Sequence, residues 1–140
     1  MRYYEAFADI HAAPDTIWKV LTDGTGYPAW DSGVDRVEGR IDKGETIKVH
    51  AKISPGRTFP VKVTEFISGN RMVWTGGMPL GLFKGVRIFT LSTLGDTTRV
   101  TVREEYTGPL LRMMWKSMPD LGPSFETFVQ GLKKKAESVR

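Results

Sequence analysis

The turn Gly95-Asp96 constrains this chain more than any other feature, because only those two residues separate two long alternating runs. Closing it pairs Leu94 with Thr97, and that one pairing sets all the others. Leu91 then faces Val100, Phe89 faces Val102 and Arg87 faces Glu104, all on one side. The other side pairs Ser92 with Arg99, Thr90 with Thr101 and Ile88 with Arg103. Successive side chains of a strand point to opposite faces, so the first, apolar side turns inward. Arg87 and Glu104 go inward with it.

Such a face needs a cover, and the C-terminal segment supplies one. Leu121, Phe125, Phe128, Leu132, Ala136 and Val139 recur at steps of three and four, a helical stripe about four turns long. Pro119 and Pro123 put its start near residues 120–122.

Upstream, residues 3–10 alternate as a strand with Tyr4, Ala6, Ala8 and Ile10 on one side. Pro14 suits a first helical position, Asp15 lies in the first turn, and Ile17, Val20 and Leu21 share a face. A short amphipathic helix over 14–22 follows, broken by Gly24, Gly26 and Pro28. Ile47, Val49, Ala51 and Ile53 alternate with Lys48, His50 and Lys52, predicting a half-buried strand. It pairs with residues 34–41 across Asp42-Lys43-Gly44. Residues 59–67 and 71–76 flank Ser68-Gly69-Asn70 as another hairpin, whose register loop length leaves open. The expected architecture is one α+β domain over 1–140, a strongly curved antiparallel sheet wrapped around a long C-terminal helix.

Composition removes several functions. With no Cys there are no disulfides, zinc-thiolate sites or cysteine nucleophiles. No apolar run approaches the roughly 20 residues of a membrane span, and the first residues lack a signal-peptide core, so a cytoplasmic location and no stable membrane insertion are expected. Lys133, Lys134, Lys135 and Arg140 against Glu137 account for +3 of the net +4, which suits a helix C-terminus rather than a nucleic-acid surface. The serines lie in no strained nucleophile turn, and neither His11 nor His50 has a third group to orient it. No metal-ligand or phosphate-loop spacing occurs, so no metal and no cofactor are expected.

Ile17-Trp18-Lys19-Val20-Leu21-Thr22-Asp23, followed by Tyr27-Pro28-Ala29-Trp30, is similar to the opening of the START-like (SRPBCC) superfamily. Thr98-Arg99-Val100-Thr101 leading to Tyr106-Thr107-Gly108, and Leu132-Lys133 with Glu137, add to the likeness. Within that superfamily the chain resembles the polyketide cyclase/dehydrase and lipid transport group, over essentially its whole length. The resemblance implies a helix-grip fold with a deep cavity between curved sheet and long helix. Members bind sterols, lipids, plant hormones or aromatic polyketides; some catalyse cyclisation or dehydration, and others resemble activators of a chaperone ATPase. Fold membership alone fixes none of these activities.

The expected activity is binding of an apolar or aromatic small molecule, lipid- or polyketide-like. Trp30, Met72, Trp74, Phe89, Val102, Phe125 and Phe128 are the expected apolar lining. Met78, Phe83, Met113 and Met114 lie in two apolar segments that read as a gate, as ordinary packing on each other, or as a homodimer patch. Arg87 and Glu104 read either as a mutually satisfied cross-strand pair or as an anchor for a carboxylate or phenolate oriented by Glu104. A cyclase or dehydratase would need an acid or base here, and Glu104 and Tyr106 are the candidates. A third reading is an interaction module that docks a protein through Met114 and Trp115.

Overall fold

β6 (Lys84–Leu94) and β7 (Thr97–Thr107) pair in the register the turn dictates, with Leu91 opposite Val100, Phe89 opposite Val102 and Arg87 opposite Glu104. The computed structural model describes residues 1–139 and builds the rest of one antiparallel sheet around this hairpin. Its other strands are β1 (Arg2–Ile10), β2 (Val34–Glu38), β3 (Thr46–Ala51), β4 (Phe59–Ile67) and β5 (Arg71–Gly77). The seven run in the order β1-β7-β6-β5-β4-β3-β2, so the chain's first strand closes onto its last. The helices are α1 (Pro14–Thr22), the short α2 (Leu111–Ser117) and the long α3 (Gly122–Ser138).

Side-chain alternation sends Tyr4, Ala6, Ala8 and Ile10 of β1 to the concave face, where Ala6, Ala8 and Ile10 are buried. α3 closes that face with Phe125, Phe128, Val129, Leu132 and Ala136. Gly131 lets it approach closely, since a Cβ there would stand 2.9 Å from both Cβ and the carbonyl oxygen of Asp31. The Leu132-Lys133…Glu137 motif pins the helix to the end of the edge strand. Lys133 Nζ donates to the Asp9 carbonyl at 2.7 Å and to Glu137 Oε2 at 2.8 Å, while the His11 amide donates to the same carboxylate at 2.9 Å. Lys133 is thus a structural cation, where charge counting alone reads it as part of a solvated helix end.

The register of β4 on β5 has a specific cause. Glu65 pairs with Val73 and Val63 with Trp74, so Thr64 is the extra residue of a bulge. That bulge is what loop length does not reveal. β3 stops at Ala51, and Ile53, expected inward on that strand, lies in the following loop at 47% exposure. The turn in which the Ser54 amide bonds the Ala51 carbonyl, followed by Pro55, ends the strand there. β2 likewise ends at Glu38 rather than at residue 41, and Val139 falls past the end of α3 at 46% exposure.

Phe128 lies 5.1 Å from the Trp30 ring and 6.0 Å from Phe89, with almost none of its surface exposed. Phe128→Ala is expected to cost about 3–5 kcal/mol in urea unfolding. Phe7→Ala, on the convex face at 52% exposure, is expected to cost under about 1 kcal/mol. The Glu137 carboxyl is held below its ordinary 4.5, first by the Lys133 hydrogen bond and then by the His11 amide. A lowered folded-state value stabilises above the unfolded value and is lost as pH falls through it. Wild type is therefore expected to lose stability below about pH 4.5, and Glu137→Gln is expected to flatten that part of the profile.

Candidate functional site

The antiparallel registers line up one transverse row on the concave face: Val63, Trp74, Arg87, Glu104 and Tyr4, on five successive strands. One row toward the apolar interior, Met72, Phe89, Val102 and Ala6 are all buried. One row the other way come Gly76, Gly85 and Tyr106. Two charges thus sit in the middle of an apolar face, at positions the hairpin turn assigns.

Arg87 Nε donates to Glu104 Oε1 at 2.9 Å. Among the described residues, its other N–H groups have no hydrogen-bond partner. Its guanidinium lies 4.8 Å from the Phe125 ring centroid, 5.5 Å from Phe128 and 6.0 Å from Phe89, within cation–π range. Both side chains keep 22% of their surface accessible, so water reaches the pair although the adjacent Trp74 is buried. Gly85 makes room for the second carboxylate oxygen: a Cβ there would stand 3.3 Å from Glu104 Oε2. Tyr106 is buried beside it. Desolvation chiefly, and then the Glu104 charge, raise its phenol far above the ordinary 10.0, so it remains a neutral hydroxyl. Trp74 Nε1 is a buried donor with no acceptor among the described residues.

The predicted residues separate into two groups. Met72, Trp74, Phe89, Val102, Phe125 and Phe128 meet one another, and Trp30 joins them through Phe128 and Tyr27. Their rings fill the space between sheet and α3 where an open cavity was expected, because Tyr27, Trp30 and Phe128 all turn into it. Tyr27 is held by its hydroxyl, which donates to the Leu21 carbonyl at 2.6 Å. Two open grooves mark the surface elsewhere, one along Gly24, Pro28 and Val37, the other along Lys19, Trp30 and Lys135.

The second group forms the rim. Phe83 stacks on Tyr106 at 6.0 Å, and Trp115 of α2 meets Tyr106 at 5.5 Å and stacks on Tyr4 at 5.3 Å. The Leu110 amide donates to the Leu82 carbonyl, tying the two apolar segments together. Met114 is half-buried there, whereas Met78 and Met113 face outward at 39% and 60% exposure. No residue of α2 is buried. The sequence reading missed Tyr4 and Trp115 as parts of this aromatic wall and Tyr27 as part of the interior, although the inward alternation of β1 marks Tyr4. His50 does have orienting partners: Glu38 Oε2 at 3.2 Å and the Thr58 hydroxyl at 3.5 Å. They come from β2 and the loop before β4, which chain spacing does not bring together.

Among the described residues no three His, Asp or Glu side chains gather as a metal site. The chain is similar in structure to a START superfamily protein from Mycobacterium smegmatis, with a TM-score of 0.71, 16% identity and 99% of each chain covered. An Aha1 dimer from Colwellia psychrerythraea superposes with a TM-score of 0.73 and 22% identity, covering 98% of this chain and 97% of that one. DynU16, described as a putative protein in the dynemicin biosynthetic locus, gives 0.71 and 16%, covering 97% of this chain and 47% of its own. At such identities these likenesses establish the fold, a START-like helix-grip. No curated protein matches the chain. Residues 1–137 match the family of polyketide cyclase/dehydrase and lipid transport proteins, and a match over nearly the whole chain places this protein in that family.

Proposed function

We propose that this domain binds a planar apolar molecule carrying a neutral acceptor oxygen, which enters past α2 and ends at Arg87. The carrying observation is the water-accessible Arg87–Glu104 pair at the centre of an otherwise apolar face. Family and fold fit a hydrophobic-ligand-binding domain. The donor balance supports the choice of ligand: unpartnered Arg87 N–H groups and Trp74 Nε1 call for an acceptor.

Charge balance narrows it further. Glu104 already neutralises Arg87, so a ligand carboxylate would bring an unmatched negative charge onto an otherwise apolar face. A ketone, quinone or phenol oxygen accepts the same hydrogen bonds without that cost. The sequence-level alternative of a carboxylate or phenolate anchor gives way in this reading because Glu104, on the Nε edge of the guanidinium, already supplies the matching negative charge. Phe83, Tyr106 and Trp115 would flank the planar part of the ligand, and Phe125 would meet its inner end. Entry requires α2 to swing outward, and its lack of any buried residue makes that motion cheap.

Two experiments test the site. Titration calorimetry with acetylnaphthalene, isopropenylnaphthalene and naphthoate compares three molecules of nearly one shape. The ketone is expected to bind about tenfold tighter than the hydrocarbon, and tighter than naphthoate. Arg87→Met/Glu104→Leu, which leaves neither charge unmatched, is expected to erase the preference while the hydrocarbon still binds. Absence of binding by all three overturns the binding function, whereas equal binding overturns only the acceptor. In urea unfolding, Glu104→Leu is expected to cost about 1–3 kcal/mol by leaving Arg87 unmatched. The double variant Arg87→Met/Glu104→Leu is expected to recover most of that loss, and no recovery would remove the pair's claim to be a matched unit.

A further inference from the structure

One end of the sheet is basic and apolar at once, and we propose that it docks on an anionic lipid surface. The antiparallel order brings together the β3–β4 loop, the β5–β6 loop, the start of β1 and helix α2. Arg2 opposes Tyr106, Lys84 opposes Thr107, and a Cβ on Gly76 would touch the Pro60 carbonyl, so these segments are neighbours. From them project Ile53, Phe59, Met78, Leu80 and Met113, at 47%, 40%, 39%, 95% and 60% exposure. Leu80 is the only described non-glycine residue with positive φ, at 61°, a conformation that holds the most exposed of these side chains out in water.

Charge distinguishes this end from an ordinary apolar patch. Residues 51–60, 76–84 and 107–119 carry Lys52, Arg57, Lys84, Arg112 and Lys116 and no acid. Among the described arginines, Arg36, Arg40, Arg71, Arg87, Arg99 and Arg103 each hold a carboxylate. Arg2, Arg57 and Arg112 hold none, and all three lie at this end. The nearest acids are Glu104 and Glu105, held by Arg87 and Arg103, then Asp31 and Asp35 near Lys52 at the start of β2, and Asp120 after α2, whose Oδ1 accepts the Gly122 amide. The opposite end mixes both signs, Asp42, Glu45 and Asp96 with Arg40, Lys43, Lys134 and Lys135, whereas the loops of this end carry cations alone. Apolar tips ringed by unpaired cations match the layering of an anionic bilayer, with hydrocarbon below headgroup phosphates. No described helix is long and apolar enough to cross a membrane. Docking of this kind would hold the chain to the bilayer surface by this one end.

Sedimentation with vesicles tests this independently of any interior ligand. Pure phosphatidylcholine vesicles are compared with vesicles containing about one third phosphatidylglycerol, at low and at physiological salt. Binding is expected only to the anionic vesicles and to weaken as salt rises. Lys116→Gln is expected to weaken it about fivefold. Leu80→Asn, which tolerates the same backbone conformation, is expected to weaken it about tenfold. Thermal melting confirms that both variants fold. Equal binding to both vesicle types, no binding at low salt, or unchanged binding by the variants overturns the proposal. Capture by heparin or polyglutamate that matches the vesicles and ignores Leu80→Asn also overturns it, in favour of a polyanionic macromolecule.

Discussion

Everything on the concave face depends on the register of β6 on β7. A slip of one residue would turn one strand over against the other, setting Thr101 and Arg103 on the inner face beside Phe89 and sending Val100 and Val102 into water. Because Gly95-Asp96 closes the hairpin in two residues, loop length alone fixes this register. Each neighbour then inherits its alignment. β5 places Trp74 beside Arg87, and β1 places Tyr4 beside Glu104. The aromatic stripe of α3 completes a core whose composition was decided at one turn.

The same register imposes a cost. An arginine and a glutamate on a core face lose hydration that a single ion pair seldom repays in full. Three features offset it here. The pair keeps some contact with water, three phenyl rings offer their faces to the guanidinium, and Gly85 leaves space for the free carboxylate oxygen. Phe and Leu at these two positions would serve packing equally well or better. Retention of two charges, next to a buried tryptophan nitrogen with no partner, gives the face a polarity that packing does not require.

The strands, the two main helices and the inward direction of Arg87 and Glu104 were legible because each rests on a local period or a tight turn. Thr64 was not, since a bulge depends on which neighbour a strand meets rather than on its own alternation. Ile53 fits the alternation of its strand yet lies outside, because the chain turns at Ser54-Pro55-Gly56 before the pattern is complete. At the site, the pair was readable from sequence, whereas the aromatic wall of Tyr4, Phe83, Tyr106 and Trp115 joins segments far apart in the chain. How completely Tyr27, Trp30 and Phe128 fill the interior is also a matter of rotamers, which periodicity does not encode.

The two unusual features of the molecule meet at one rim. Tyr106 and Trp115 close the face that holds Arg87, and Arg2 lies over the outer side of the same Trp115 ring, 5.4 Å from its centroid. α2 is therefore shared between the interior site and the exposed basic end. Its seven residues include none that is buried, so it is held mainly by ring contacts and by the Leu110–Leu82 backbone hydrogen bond. An element held this lightly responds to whatever touches its outer side. Under the two proposals together, a surface that drew Arg112, Met113 and Lys116 outward would pull Trp115 away from Tyr4 and Tyr106, the displacement proposed for ligand entry to Arg87. Coupling of this kind requires only that both events favour the same position of α2.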